Sequence, residues 1–151
     1  QDFLFCVGLT ETFKELTKGY KPEKHLNLLF ESLCTSSNFE AQEIKEISQK
    51  SQKEFKDKSS KDILKLLKEK ISPKPYPSRI LNLGMYILIS NCQDFKKGNE
   101  SEKNKIISDI FEKLNLSTDK AEKDIGVYKS SITKMEQAKE LIQELKIKDK
   151  N

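Results

Sequence analysis

Few side chains in this sequence could do chemistry, and they lie apart. His25 is the single histidine among 151 residues, and Cys6, Cys34 and Cys92 are the three cysteines. A zinc site asks for paired cysteines at short spacing, or for cysteines with histidines. These three stand far apart, each among apolar residues, and read as buried thiols in a reducing compartment. His25 is the one side chain that ordinarily titrates near neutral pH. It falls between Lys24 and Leu26, early in an amphipathic stretch, and reads as a structural or surface histidine. The five glycines, Gly8, Gly19, Gly84, Gly98 and Gly126, are too scattered for a phosphate-cradling loop or a dinucleotide fingerprint. Carboxylates alternate with lysines, as expected for solvated helix faces with i,i+4 pairs. Acid–base catalysis would instead want a buried pair whose pKa values are pushed apart. The expectation is a protein that is not an enzyme and holds no cofactor and no metal.

The formal net charge is +4, but lysine and glutamate interleave closely, so no field of one sign builds up. Arg79 is the only arginine. Without arginines for bidentate base recognition or aromatic platforms for stacking, no nucleic-acid partner is expected. Arg79 follows Pro77-Ser78 at the start of an apolar helix, where the helix dipole disfavours a cation. It therefore needs a buried carboxylate or a backbone carbonyl, or else it contacts another protein. Tyr20, beside Lys21 at a corner between two helices, is either a packing lid or an exposed contact.

These residues must be positioned by helices. Hydrophobic residues make up 35% of the chain and charged residues 34%, there is no Trp, and Gly and Pro are few. Such material suits helices with broad solvated faces and not the many turns of a β fold. The fold class is all-α: a compact multi-helix bundle with a long C-terminal helix. Residues 1–151 read as a single domain, interrupted at 72–77 by Ser72-Pro73-Lys74-Pro75-Tyr76-Pro77, whose three prolines forbid a continuous helix.

Seven helices are predicted. The first spans about 2–18, with Phe3, Cys6, Leu9, Phe13 and Leu16 on one face, and ends at Gly19. The second spans 22–36, with Leu26, Leu29, Phe30 and Leu33 at helical spacing. Asn38 is the expected N-cap of a third that reaches Phe55, and Ser59 or Ser60 that of a fourth. Residues 78–89 are apolar on nearly every side and should form the buried central helix. Gly84 in its middle costs about 1 kcal/mol relative to Ala, which suggests a neighbouring helix too close for a side chain. Residues 94–101 read as a polar loop and 102–114 as an amphipathic helix. Asp119 with Glu122 looks like the cap of the last helix. Its positions Ile125, Tyr128, Ile132, Met135, Ala138 or Lys139, Ile142 and Leu145 recur with 3–4 spacing, which suits a coiled-coil seam and equally a bundle helix whose far end protrudes. No run approaches the roughly 20 apolar residues of a membrane span. The chain opens on Gln1 without a signal peptide and reads as a fragment or a trimmed product.

Three separated patches resemble the thylakoid-formation family, also described as a photosystem II biogenesis family. The first is Asp2-Phe3-Leu4-Phe5-Cys6-Val7-Gly8-Leu9-Thr10 through Phe13 to Gly19-Tyr20-Lys21-Pro22, continuing into Leu29-Phe30 and Leu33-Cys34. The second runs from Tyr76-Pro77-Ser78-Arg79 through Leu83-Gly84-Met85-Tyr86. The third is Asp124-Ile125-Gly126-Val127-Tyr128 through Lys134-Met135 to Gln137-Ala138-Lys139-Glu140-Leu141. They keep the family's order and cover almost the whole chain. Pro77 and Asn82 stand where the family commonly has other residues, and Gly126 where it prefers a helix former. The family also carries further N-terminal helices that this sequence lacks.

The resemblance implies a non-enzymatic helical accessory protein on the cytoplasmic or stromal side of the thylakoid membrane, soluble or peripheral; the Lys-rich, Arg-poor composition suggests a cyanobacterial source with an AT-rich genome. The resemblance also implies a role in thylakoid biogenesis and photosystem II assembly and repair, with the FtsH protease complex as partner. Peripheral binding to thylakoid lipid is the alternative. Tyr20, Arg79, Ile132 and Met135 are the candidate partner-binding residues.

Overall fold

A computed structural model describes residues 2–20, 22–71 and 78–150, with positions 149 and 150 described by backbone alone. The proline-rich break at 72–77 lies outside the described residues. Among those described there are eight helices and no strand: α1 (Phe3–Leu16), α2 (Glu23–Ser36), α3 (Ala41–Phe55), α4 (Ser60–Lys70), α5 (Arg79–Ser90), α6 (Gln93–Lys97), α7 (Glu100–Lys113) and α8 (Thr118–Lys150).

The centre of the molecule is the crossing of α1 and α5. Gly8 and Gly84 face one another there. A Cβ on Gly84 would run into the Leu4 carbonyl and lie 3.2 Å from the Gly8 nitrogen. A Cβ on Gly8 would strike the Ile80 carbonyl. The cost that Gly84 imposes on α5 is thus offset by backbone contact that no other residue permits. Side chains from both helices then spread into two clusters. Leu4 and Val7 of α1 join Met85 and Leu88 of α5, Phe55, Phe111 and Ile125 in the larger one. Cys6, Phe30, Cys34 and Ile44 form the smaller one between α1, α2 and α3.

Caps define most of the ends. The Asp2 carboxylate accepts from the Leu4 amide at 2.7 Å, Ser59 caps α4 and Ser78 caps α5. Three expectations are corrected. Asn38 does not open a helix; it closes α2. Its φ of 61° is left-handed, and the amides of Asn38 and Phe39 return to the carbonyls of Thr35 and Cys34, a Schellman closure that Asn tolerates. Residues 94–101 are not one loop. Cys92 Sγ accepts from the Phe95 amide and starts α6, which buries Phe95, and Asn99 with Glu102 forms a capping box that starts α7. Asp119 is not the cap of α8: the hydroxyl of Ser117 accepts from the Lys120 amide at 3.2 Å.

Two glycine substitutions should move stability in opposite directions. Gly84→Ala must push α1 off α5 and is expected to cost about 3 kcal/mol in urea unfolding. Gly126→Ala, with nothing within 4 Å of the added Cβ, should gain up to about 1 kcal/mol from helix propensity. Equal effects at the two sites would mean that the crossing is not tight.

Candidate functional site

Of the groups with chemical potential, the fold brings only Cys6 and Cys34 into one cluster, while Cys92 lies in the other. All three cysteines are buried and free, and burial raises each thiol above its ordinary pKa, which suppresses the reactive thiolate. His25 is exposed on α2. Among the described residues no group of three or more His, Cys, Asp or Glu could hold a metal ion.

What the fold does bring together are the three sequence patches. The first and second meet at the Gly8–Gly84 crossing. The second and third meet where Asp124 of α8 inserts against the start of α5. Its carboxylate accepts from the Asn82 amide at 2.9 Å, a buried bond between residues 42 apart in sequence. Its other oxygen lies 3.5 Å from Arg79 Nε. Arg79 thus has a buried carboxylate partner, although its own side chain is 61% exposed while that of Asp124 is only 5% exposed. The first and third patches meet where Lys139 Nζ donates to the Lys18 carbonyl beside Gly19. A lysine is well placed there, since the end of α1 is the negative end of its dipole.

Tyr20 follows this contact. It is half exposed and lines a groove of about 510 Å³ between α1, α2 and α3. Phe13 and Phe30 line the same groove, their rings 5.2 Å apart in an edge arrangement. Its polar wall is closed on itself: the hydroxyls of Thr10 and Ser48 bond at 2.6 Å, and Gln52 donates to Ser48 and to Glu11. Such a wall offers no base beside a nucleophile.

Ile132 and Met135 are half buried on α8, following the buried Ile125 and Tyr128 on the side that packs against the body. Burial and the carboxylates of Glu15 and Glu11 push the Tyr128 hydroxyl up to about 12. The residues that α8 truly leaves open come later: Leu141, Ile142, Leu145 and Ile147 are each more than half exposed. On α2, Leu29 and Leu33, which read as core from their spacing, are 46% and 41% exposed. The Asp124 partner of Arg79 was out of reach of sequence spacing. The one available signal was a lone carboxylate amid Ala121, Ile125 and Tyr128 on the inner face of α8.

The family model for thylakoid formation protein matches residues 1–76 and 70–151. Protein Thf1 of Prochlorococcus marinus strain MIT 9312 is 82% identical over 150 residues, which cover 99% of this chain and 75% of that protein. Protein Thf1 of Prochlorococcus marinus subsp. pastoris is 70% identical over 150 residues, 99% of this chain and 74% of its own. A solved structure of Psb29 superposes with a TM-score of 0.81 at 22% identity, covering 99% of this chain and 76% of that one. At that identity the likeness speaks for the fold.

The contact between α5 and α8 should depend on the buried amide bond more than on the exposed guanidinium. Asp124→Ala leaves the Asn82 amide buried without its partner and is expected to cost about 2 kcal/mol. Arg79→Ala should cost about 1 kcal/mol or less. Urea unfolding of both variants checks the order; a larger loss from Arg79→Ala would mean that the ion pair holds the contact.

Proposed function

This chain belongs to the thylakoid formation protein family, and we propose that it serves thylakoid biogenesis and photosystem II assembly and repair as a non-catalytic accessory that binds a partner. The partner we infer is the membrane-bound FtsH protease complex, met on the cytoplasmic or stromal side of the thylakoid. The observation that carries this reading is the end of α8. A 33-residue helix, about 50 Å long at 1.5 Å per residue, is anchored to the body by its first part. Its last turns then present Leu141, Ile142, Leu145 and Ile147, each more than half exposed. Burying such a face is a common basis of helix-mediated recognition. Tyr20 and Arg79 take supporting places in this reading, at the corner and at the α5 start that fix the direction of α8.

A second reading, attachment to the thylakoid membrane periphery, draws on the lysines of the same segment. Among the described residues no helix is long and apolar enough to cross a membrane.

Ile132 and Met135 are half buried, so charging them would mix loss of binding with loss of packing. Ile142→Asp with Leu145→Asp avoids this. Capture from detergent-solubilised thylakoids should recover FtsH with the unaltered chain and at least about tenfold less with this double variant, as expected when central apolar anchors are lost. Its circular dichroism should stay largely helical. Equal recovery by both chains would remove α8 from the contact, and recovery by neither would remove FtsH as the partner.

A further inference from the structure

Lys139 of α8 donates to the Lys18 carbonyl at the end of α1. Every residue from 140 to 148 is exposed. A heptad frame on this end places Met135 and Ile142 at a, and Ala138 and Leu145 at d. Leu141 falls at g and widens the apolar strip on one side. The charges then sort by position. Lys139 and Lys146 occupy e, while Lys134 and Lys148 occupy g. Glu136, Glu140 and Glu144 take b, f and c, on the far side of the helix. Lys134, Lys146 and Lys148 form no ion pair within the described residues.

Lysine therefore borders the apolar strip on both edges. Two copies of this chain would meet lysine against lysine, because parallel pairing sets e against g and antiparallel pairing sets e against e and g against g. A bilayer is also a poor match. Interfacial helices use Trp, Phe or Leu for depth beneath a strongly cationic polar face. Here no aromatic residue follows Tyr128, and the far face carries glutamates and the exposed Ile147. Charge complementarity leaves one kind of occupant.

We propose that residues 134–148 of α8 are a docking seam for a single amphipathic helix of another protein, with apolar side chains on its packing face and carboxylates along both edges. The proposal deepens the reading that this chain acts by binding a partner, and rests on it. The lysines select and align that helix, and the a and d side chains hold it.

Two synthetic three-heptad peptides test it, both with Ile at a and Leu at d. One has Glu at every e and g, the other Lys. Titrated with the full chain by fluorescence anisotropy, the Glu peptide should bind at least about tenfold more tightly than its Lys twin, because e and g charges set partner choice. The triple variant Lys134→Glu, Lys146→Glu, Lys148→Glu, changed only at exposed positions, should reverse that order with unaltered helicity. Equal binding of the two peptides, or binding of neither, overturns the seam. So does a dimer in sedimentation equilibrium without peptide, or binding to phosphatidylglycerol vesicles that the Glu peptide does not displace. Loss of FtsH capture with the peptide preference intact would overturn only the protease as partner. FtsH capture without a peptide preference would overturn only the seam.

Discussion

The approach of α1 to α5 at Gly8 and Gly84 is the constraint from which the remaining structure follows. Because neither helix carries a side chain at that point, each backbone lies against the other, and a Cβ at either position would meet a carbonyl. Two helices so close cannot slide or rotate without steric conflict. Their outward side chains are therefore delivered in fixed directions. Leu4 and Val7 go to one cluster and Cys6 to the other, so α1 serves both cores at once. The arrangement also joins the segments before and after the prolines at 72–77, since α1 lies in one and α5 in the other.

The long helix takes its direction from the same pair. Asp124 is buried against Asn82 and Arg79 at the start of α5, and Lys139 reaches the end of α1. Between those points Ile125 and Tyr128 are buried, with Tyr128 set edge-on to Tyr86 of α5 at 6.4 Å. A helix fixed at two places along its length points its remaining turns in a defined direction. The apolar strip beyond Lys139 is thus presented by a rigid support, which lowers the ordering cost of any association there. In the groove beside Tyr20, Thr10, Ser48, Gln52 and Glu11 bond one another, whereas the end of α8 exposes Leu141, Ile142, Leu145 and Ile147.

Much of this was legible in the residues. The unfavourable Gly84 within an apolar helix told of close contact, and Ser59 or Ser60 announced the start of α4 by the ordinary preference for hydroxyls at N-caps, a place that Ser59 takes. The three patches resembling the thylakoid-formation family proved to be the segments that touch one another. Other features were hidden for physical reasons. Asn suits both an N-cap and a left-handed closure, so Asn38 could be read either way until its φ was seen. The α6 turn is only five residues long, too short for periodicity, and its cap is a cysteine sulfur. Leu29 and Leu33 have core spacing, but spacing reports a face without saying whether another element covers it. The Asn82–Asp124 bond joins distant residues, and its one local trace is a carboxylate on the otherwise apolar inner face of α8. At the end of α8 the 3–4 pattern was visible, while the sorting of Lys to the strip's edges and Glu to its back needed the heptad frame and the point where the body ends.

If the α1–α5 crossing is the rigid base from which α8 projects, hydrogen–deuterium exchange resolved along the chain will show it. Amides of α1 and α5 around the two glycines should exchange last and together, through global unfolding only. Those of α8 up to Lys139 should be nearly as protected, and those of residues 140–148 should exchange far sooner. Early exchange in α5 independent of α1, or uniform exchange along the whole of α8, would contradict it.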